Sequence, residues 1–141
     1  MRLLKFACAL AFATICAASD TAEIGIKIIA NPSVRTSSLS RDDLSRIFLM
    51  TKASLEGTGH VEPVLERSSP ASHAFLRAYI GRTEAALMAY YRSLVFTGKG
   101  TIPKTFASDS ATAAYVARTK GAIGFVSADT AAPGVKTLQI Q

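Results

Sequence analysis

Short runs of β-branched residues alternate with helical patterns through most of this chain, and this alternation limits the folds it can adopt. The first run, Glu23 to Ala30, stops at Asn31-Pro32 and predicts a buried strand that ends in a turn. The run around Pro63 predicts a strand of the edge type, because proline has no N–H to donate. Beyond the first strand, strands are predicted at His60 to Glu66, Ala122 to Val126 and Val135 to Ile140.

Four helices are predicted between these strands, each from a capping residue followed by apolar residues at helical spacing. The polar, glycine-containing segments 51–59 and 97–107 are predicted to be loops. The helices are expected from Ser40 to near Leu49, from Pro70 to Ile80, from Thr83 or Glu84 to before Gly98, and from Ser108 or Asp109 through Ala117. The core-facing stripe of the third helix is predicted to be Leu87, Met88, Tyr91, Leu94 and Val95.

The order of these elements predicts the α/β class, with a central sheet covered by helices. Residues 19–141 are long enough for one domain with a single core. No repeat or low-complexity linker divides them.

The first eighteen residues have the pattern of a secretory signal peptide. Arg2 and Lys5 precede an apolar run that ends at Ile15, and small residues follow, so cleavage is expected after Ala18. The run is shorter than the roughly 20 residues of a membrane-spanning helix, so an uncleaved anchor is the less favoured alternative. We therefore expect export to the periplasm, with no membrane span after cleavage.

Removal of this segment changes the chemistry of the remaining domain. Both cysteines, Cys8 and Cys16, would be lost, so the domain could form no disulfide and would depend on its core. The formal charge would fall from +6 to about +4. A modest positive charge suits an anionic ligand, whereas export and the lack of a basic cluster in the sequence argue against nucleic acid.

The turn from the strand ending near Glu66 into the helix starting at Pro70 is the predicted functional site. A helix start exposes unpaired N–H groups and a partial positive charge, which suit an oxyanion. The side chains expected to complete the site are those of Arg67, Ser68, Ser69 and Ser72. In the alternative interpretation, Ser69 only caps the helix while Arg67 and Glu66 are solvated.

Other patterns predict no further chemistry. The segment Gly98 to Thr101 resembles a phosphate loop but follows a helix and has Ser93 where the pattern needs glycine. His60 and His73 lack the spacing of metal ligands, and His73 with Arg77 is expected to form a surface pair. No nucleophile elbow surrounds any serine, so we expect no enzyme activity, no metal and no cofactor.

Three stretches in order resemble one known family. They are Ala30-Asn31-Pro32-Ser33-Val34 with the helix Leu39 to Leu49, then Pro63-Val64 with Arg67-Ser68-Ser69-Pro70 to Phe75-Leu76, and Tyr115-Val116 with Lys120-Gly121-Ala122-Ile123-Gly124-Phe125-Val126. Together they resemble the phosphate-transporter substrate-binding (PstS-like) family, whose fold is of the type 2 periplasmic-binding-protein class. The resemblance covers nearly all of residues 19–141.

The resemblance implies a phosphate-type anion held by hydroxyls, helix amides and an arginine. The family motif Arg-Ser-Asp-Gly-Ser-Gly-Thr is similar to Arg67-Ser68-Ser69-Pro70-Ala71-Ser72-His73, in which the arginine and the first serine match. The motif's aspartate is replaced by Ser69, and its Gly-Ser-Gly-Thr is replaced by Pro70-Ala71-Ser72-His73. Two-lobed family members need about twice this length, so the chain resembles a single lobe.

These observations lead to two expectations about function. The first is an exported protein that binds phosphate or a related oxyanion and takes part in phosphate uptake. A single lobe is expected to bind the anion weakly, or to have its site completed by a second copy or a membrane transporter component. The second is a non-catalytic periplasmic interaction module or sensor accessory that has kept the lobe fold without binding a ligand.

Overall fold

The computed structural model of this protein describes residues 25–141. The predicted signal peptide, with both cysteines, and the first two residues of the first predicted strand lie outside the described residues. The strands are β1 (Ile26–Ala30), β2 (Ser38–Leu39), β3 (Ser54–Leu55), β4 (Gly59–His60), β5 (Glu62–Glu66), β6 (Lys104–Phe106), β7 (Ala122–Ser127) and β8 (Lys136–Ile140). The helices are α1 (Arg41–Phe48), α2 (Pro70–Phe75), α3 (Glu84–Phe96) and α4 (Asp109–Arg118).

One six-stranded mixed sheet organises the domain, in the order β2-β8-β1-β7-β5-β6. β5 runs parallel to both β6 and β7, and β2 runs parallel to β8, whereas β1 is antiparallel to β7 and β8. β3 and β4 form a separate two-stranded hairpin. The α/β class predicted from the sequence is confirmed.

Helices cover both faces of the sheet because residues of the central strands alternate between two cores. In β7, Ile123 and Phe125 pack on the face that carries α1, α2 and α3, while Ala122 and Val126 pack against α4. Phe125 stacks on Phe75 of α2, with ring centroids 4.1 Å apart. The larger core therefore lies under α1 to α3, and the smaller one lies under α4.

The four helix starts were predicted from capping residues, and the structure confirms a cap at each. Ser40, Ser69, Thr83 and Ser108 each accept a hydrogen bond from the main-chain N–H three residues later. The predicted helix 70–80 is α-helical to Phe75 and continues as one π-helical turn, Leu76–Ile80, before Gly81 ends it in a left-handed conformation.

Three expectations about strands and packing were wrong. β5 is an interior strand, because β6 pairs with it from Val64 onward, just past Pro63, and the proline therefore interrupts no bond of that ladder. Segment 97–107, predicted to be a loop, contains β6, and segment 51–59 contains β3 and the start of β4. Val95, predicted to face the core, is 48% exposed.

The direction of the strands defines two edges of the sheet. β5, β6 and β7 end at one edge, where α2 and α4 begin; we call this the carboxyl edge. They begin at the other, the amino edge, where β1 ends. Ligand sites of α/β proteins commonly lie beyond the carboxyl ends of strands, so the predicted anion site falls at the expected edge. Within residues 25–141, no helix is long and apolar enough to cross a membrane.

Candidate functional site at the start of helix α2

The turn from β5 to α2 brings together the four residues predicted to bind an anion. Ser69 is the N-cap of α2: its Oγ accepts from the Ser72 N–H at 3.0 Å, and Pro70 occupies the first helical turn. Arg67 and Ser68 are exposed, whereas Ser72 is buried. The Arg67 N–H donates to the Phe106 carbonyl at 3.0 Å, which fixes the turn against the end of β6.

Ser72 lies beneath this turn rather than at its surface. Its side chain is 2% exposed and lines a narrow crevice of about 10 Å³, the volume of one water position. Arg67 and Glu84 line the same crevice from above. Ser72 thus forms the floor of the site, and Arg67 and Ser68 form its rim.

Ser68 has an unusual backbone that aims its N–H at a carboxylate. Its φ is +55°, in the left-handed region that few non-glycine residues adopt. The Ser68 N–H donates to Oε2 of Glu84, at the start of α3, over 3.1 Å. A negatively charged oxygen of the chain itself therefore already occupies this amide.

Glu84 was predicted only as the start of a helix, and its place in this site was missed. It lies 16 residues from Ser68, and no local spacing connects the two. Glu84 also borders an open pocket of about 540 Å³ beside α2, which contains three basic side chains, those of His73, Arg77 and Arg82. His73 and Arg77 are exposed, as the predicted surface pair requires.

Two carboxyl groups lie directly beneath the starts of α2 and α4. Glu66, the last residue of β5, is 4% exposed, and Asp109 is the first residue of α4. Glu66 Oε2 and Asp109 Oδ1 are buried, and no N–H group or hydroxyl of residues 25–141 donates to either oxygen. The two side chains share a hydrogen bond that requires a proton on one of them.

The surroundings of the two carboxyl groups decide which one holds the proton. Burial, together with the hydrogen bond and the negative charge of Asp109, raises the pKa of Glu66 to about 7, although a hydrogen bond with Ser69 acts in the opposite direction. Burial would also raise the pKa of Asp109, but hydrogen bonds from Glu66, Thr130 and Ser127 outweigh it and hold that pKa below its usual value. Glu66 is therefore the proton donor and Asp109 the carboxylate.

Asp109 is also fixed by donors from the loop after β7. Its Oδ2 accepts from the Thr130 hydroxyl at 2.6 Å and from the Ser127 N–H at 3.1 Å. A carboxylate in the first turn of α4 is further stabilised by the partial positive charge of the helix start. Asp109 was expected only as a possible helix cap, and Glu66 was expected at the end of a strand, solvated in the alternative interpretation of the turn; its burial corrects that part of the alternative.

Arg67 is the positively charged side chain at the rim of the candidate site. Among residues 25–141 the ion pairs within 4 Å are Arg46–Asp42 and Lys52–Asp43, so Arg67 has no carboxylate partner in that part of the chain. No group of three or more His, Cys, Asp or Glu that could hold a metal ion occurs there either. Gly98 to Thr101 follows α3, as the sequence indicated.

The architecture is that of one α/β lobe with the candidate site at its carboxyl edge. Comparison with solved structures relates the fold of this chain to PstS-type phosphate transport and phosphate-binding proteins, which confirms the resemblance to the PstS-like family at the level of the fold. No protein-family model and no curated protein matches the sequence.

Three solved structures illustrate the likeness. An ABC-type phosphate transport receptor from Vibrio cholerae is 16% identical with a TM-score of 0.57, over 83% of this chain and 46% of that one. A putative phosphate ABC transporter substrate-binding protein from Clostridium perfringens, solved with bound phosphate, is 14% identical with a TM-score of 0.64, over 83% and 45%. PstS from Borrelia burgdorferi is 10% identical with a TM-score of 0.65, over 84% and 47%.

The chain therefore spans less than half the length of the solved proteins it matches. This extent is that of a single lobe, as predicted. One of the three is described as a receptor and another as a substrate-binding protein, with which the expectation of a non-catalytic chain agrees.

Proposed function

We propose that this chain binds phosphate or a related oxyanion at the turn between β5 and α2. Arg67 supplies the positive charge, Ser68 and Ser69 supply N–H and hydroxyl groups, and Ser72 forms the floor of the site. The fold neighbours support this choice of ligand, because one of them was solved with phosphate bound.

The observation that carries the proposal is the carboxylate of Glu84 on the Ser68 N–H, beside Arg67, which forms no ion pair within residues 25–141. An amide that holds a carboxylate oxygen at 3.1 Å has the direction and environment that a phosphate oxygen needs. Glu84 thus marks the position of one ligand oxygen and also competes for it. Removal of the Glu84 charge should therefore strengthen anion binding.

A single lobe supplies only part of an anion-binding cleft. In the two-lobed proteins that the sequence resembles, the ligand is enclosed between lobes, whereas here Arg67 and Ser68 are exposed to solvent. Hydrogen bonds formed in water contribute less than those formed in a closed cleft. We therefore expect dissociation constants near the millimolar range, or a tighter site completed by a second copy or a transporter component.

The proposed setting is the periplasm, reached through the signal peptide of residues 1–18, where such a lobe could serve phosphate uptake. The alternative is a non-catalytic interaction module or sensor accessory that binds no anion. The exposed Phe96, described below, is the observation that favours an interaction surface. Amino-terminal sequencing of the protein recovered from a periplasmic extract would test the setting, with Ser19 expected as the first residue.

Titration calorimetry with phosphate, sulfate and molybdate tests the binding proposal. Glu84→Gln should raise the affinity roughly tenfold, the equivalent of about 1.4 kcal/mol, because the competing charge is removed. Arg67→Ala should lower the affinity at least tenfold.

The matched control is Arg35→Ala, which removes the same charge from an exposed position at the amino edge. It should leave anion affinity unchanged within twofold. Equal losses in the two arginine variants would show that only net charge matters and would overturn the site. An absence of heat at millimolar anion in both wild type and Glu84→Gln would favour the interaction module instead.

A further inference from the structure

Three large apolar side chains protrude from the end of α3 and the loop that follows. Phe96 is 93% exposed, and Val95 and Ile102 are each 48% exposed. They are the large hydrophobic residues that the described part of the chain leaves in solvent. We refer to these three residues as the apolar tip.

The loop after α3 folds back on the helix and keeps the apolar tip together. The Gly98 N–H donates to the Val95 carbonyl at 3.1 Å, and the Lys99 N–H donates to the Leu94 carbonyl at 2.8 Å. Gly100 lies against Leu94, so that a Cβ there would be 3.3 Å from its Cδ1. The chain then passes through Ile102 into β6, which places the apolar tip at the amino edge, opposite the start of α2.

Basic side chains surround the apolar tip in the sequence and along the amino edge. No acidic residue occurs between Glu84 and Asp109, whereas Arg92, Lys99 and Lys104 lie in that interval. The acidic residues close to the edge are Glu56 and Glu62, and Glu62 accepts a hydrogen bond from Tyr115 at 2.7 Å. The cations at the amino edge are Arg35, Lys99, Lys104, Arg118, Lys120 and Lys136, which we call the basic edge.

The basic edge is wide. It extends from β6 to β8 across four strand spacings, roughly 20 Å at the usual distance between strands. An array of this width matches an extended anionic surface better than it matches one small ligand. A protruding phenylalanine among such cations is the combination by which peripheral proteins insert a ring among lipid headgroups.

We propose that the amino edge docks on an anionic lipid bilayer, with Phe96 inserted into the interface and the basic edge over the phosphate headgroups. The hydrocarbon region of the bilayer buries the apolar tip, and the lipid phosphates neutralise the basic edge, so a bilayer accounts for both the apolar and the charged surface. The start of α2 faces away from the bilayer in this orientation and stays open to solvent. The inference does not depend on anion binding at that turn.

The chain contains no tryptophan, so a single introduced one reports on its own position. We would place it at Phe96→Trp in one variant and at the exposed Ala86→Trp, near the other end of α3, in a matched control. The two positions are ten residues apart, about 15 Å along the helix. Both variants keep residues 1–18, so any membrane affinity of that segment is common to both.

Vesicles of phosphatidylglycerol and phosphatidylcholine should shift the Phe96→Trp emission to the blue, and brominated lipid should quench it. The Ala86→Trp emission should stay unchanged, and so should Phe96→Trp with phosphatidylcholine alone. Adding Lys99→Glu and Lys104→Glu should raise the lipid concentration needed for half the shift at least tenfold.

Three results would overturn the proposal. The first is an unchanged Phe96→Trp emission with anionic vesicles. The second is an equal shift with neutral vesicles or in the charge-reversed variant, since the basic edge would then play no part. The third is a shift produced by heparin but not by vesicles, which would indicate a soluble polyanion as the partner.

Discussion

The carboxyl groups of Glu66 and Asp109 form a buried, hydrogen-bonded pair beneath the starts of α2 and α4, and the Glu66 pKa of about 7 favours a proton on Glu66 that is shared with Asp109. Glu66 ends β5 and Asp109 begins α4, so the shared proton joins the sheet to α4 at the carboxyl edge. Buried carboxyl pairs of this kind are stable only while one member is neutral. Ionisation of both would place two like charges in a region of low dielectric constant.

Glu66 should make the free energy of unfolding depend on pH. Its pKa is raised from 4.5 to about 7 by burial, so its stabilising effect is complete below pH 4.5 and is lost as the pH rises through 7. The loss amounts to roughly 3 kcal/mol. Glu66→Gln keeps an N–H donor towards Asp109 and should abolish this loss, so at pH 8 it should be more stable than wild type. Urea unfolding at pH 5 and pH 8 measures the difference.

The contribution of Asp109 to the free energy of unfolding changes at lower pH, so it does not affect the comparison between pH 5 and pH 8. Its lowered pKa contributes stability above its unfolded value of 3.8, and that contribution disappears only as the pH falls below it. The control is Glu56→Gln, at an exposed position in the β3–β4 hairpin, which should retain the wild-type pH dependence. Parallel pH profiles for wild type and Glu66→Gln would contradict the shared proton.

The cap of α2 predicts a modest loss of stability in Ser69→Ala. The variant leaves the Ser72 N–H without its 3.0 Å acceptor and should cost about 1 kcal/mol in urea unfolding. Ser69→Asn should restore most of this, because asparagine also caps helices well. If Ser69 only caps, both variants should bind anions as wild type does. A loss of anion affinity in Ser69→Asn, with stability preserved, would assign the hydroxyl to the ligand.

Only glycine fits at position 121, just before β7, because the main chain there passes close to the main chain of the β3–β4 hairpin. Its φ is +75°, and an added Cβ would lie 2.3 Å from the His60 carbonyl oxygen. Gly121→Ala should therefore cost more than about 3 kcal/mol, from strain and a clash with main chain. Gly57→Ala has a similar φ of +73° with open space around it and should cost only about 1 kcal/mol. Thermal unfolding measures the loss of stability in each variant. Equal losses would mean that the positive φ alone, and not the contact with His60, sets the loss at Gly121.

The sequence predicted those parts of the fold that depend on neighbouring residues. The caps at Ser40 and Ser108 are visible because a hydroxyl and an N–H three residues apart satisfy each other locally. β6 was missed because it has only three residues and exists through its pairing with β5, some 40 residues earlier in the chain. Short strands of this kind have no pattern of their own.

The candidate site also combines features that local sequence predicts with features that only tertiary packing produces. The turn at Arg67 and Ser68 was predicted from the helix start that follows it. The carboxylate of Glu84 and the Glu66–Asp109 pair were not, because tertiary packing brings these side chains together from distant positions. A buried glutamate at the end of a strand is unusual, so the burial of Glu66 is a feature that only the structure shows.

The shared proton should also regulate anion binding, if the proposed site is correct. Glu66 loses its proton as the pH rises through about 7, which adds a negative charge beneath the Ser69 cap. Sulfate is the probe of choice, because its own charge is constant from pH 6 to pH 8. Its affinity for wild type should fall roughly fivefold over this range, the effect of one added charge at partial solvent exposure.

Two variants separate Glu66 from the exposed His73, the neighbouring side chain of a type that also titrates near neutral pH. Glu66→Gln should bind sulfate with an affinity that is nearly constant with pH, whereas His73→Gln should keep most of the wild-type dependence. The opposite pattern would assign the effect to the histidine. Calorimetric titrations of the three proteins at pH 6, 7 and 8 decide between the two assignments.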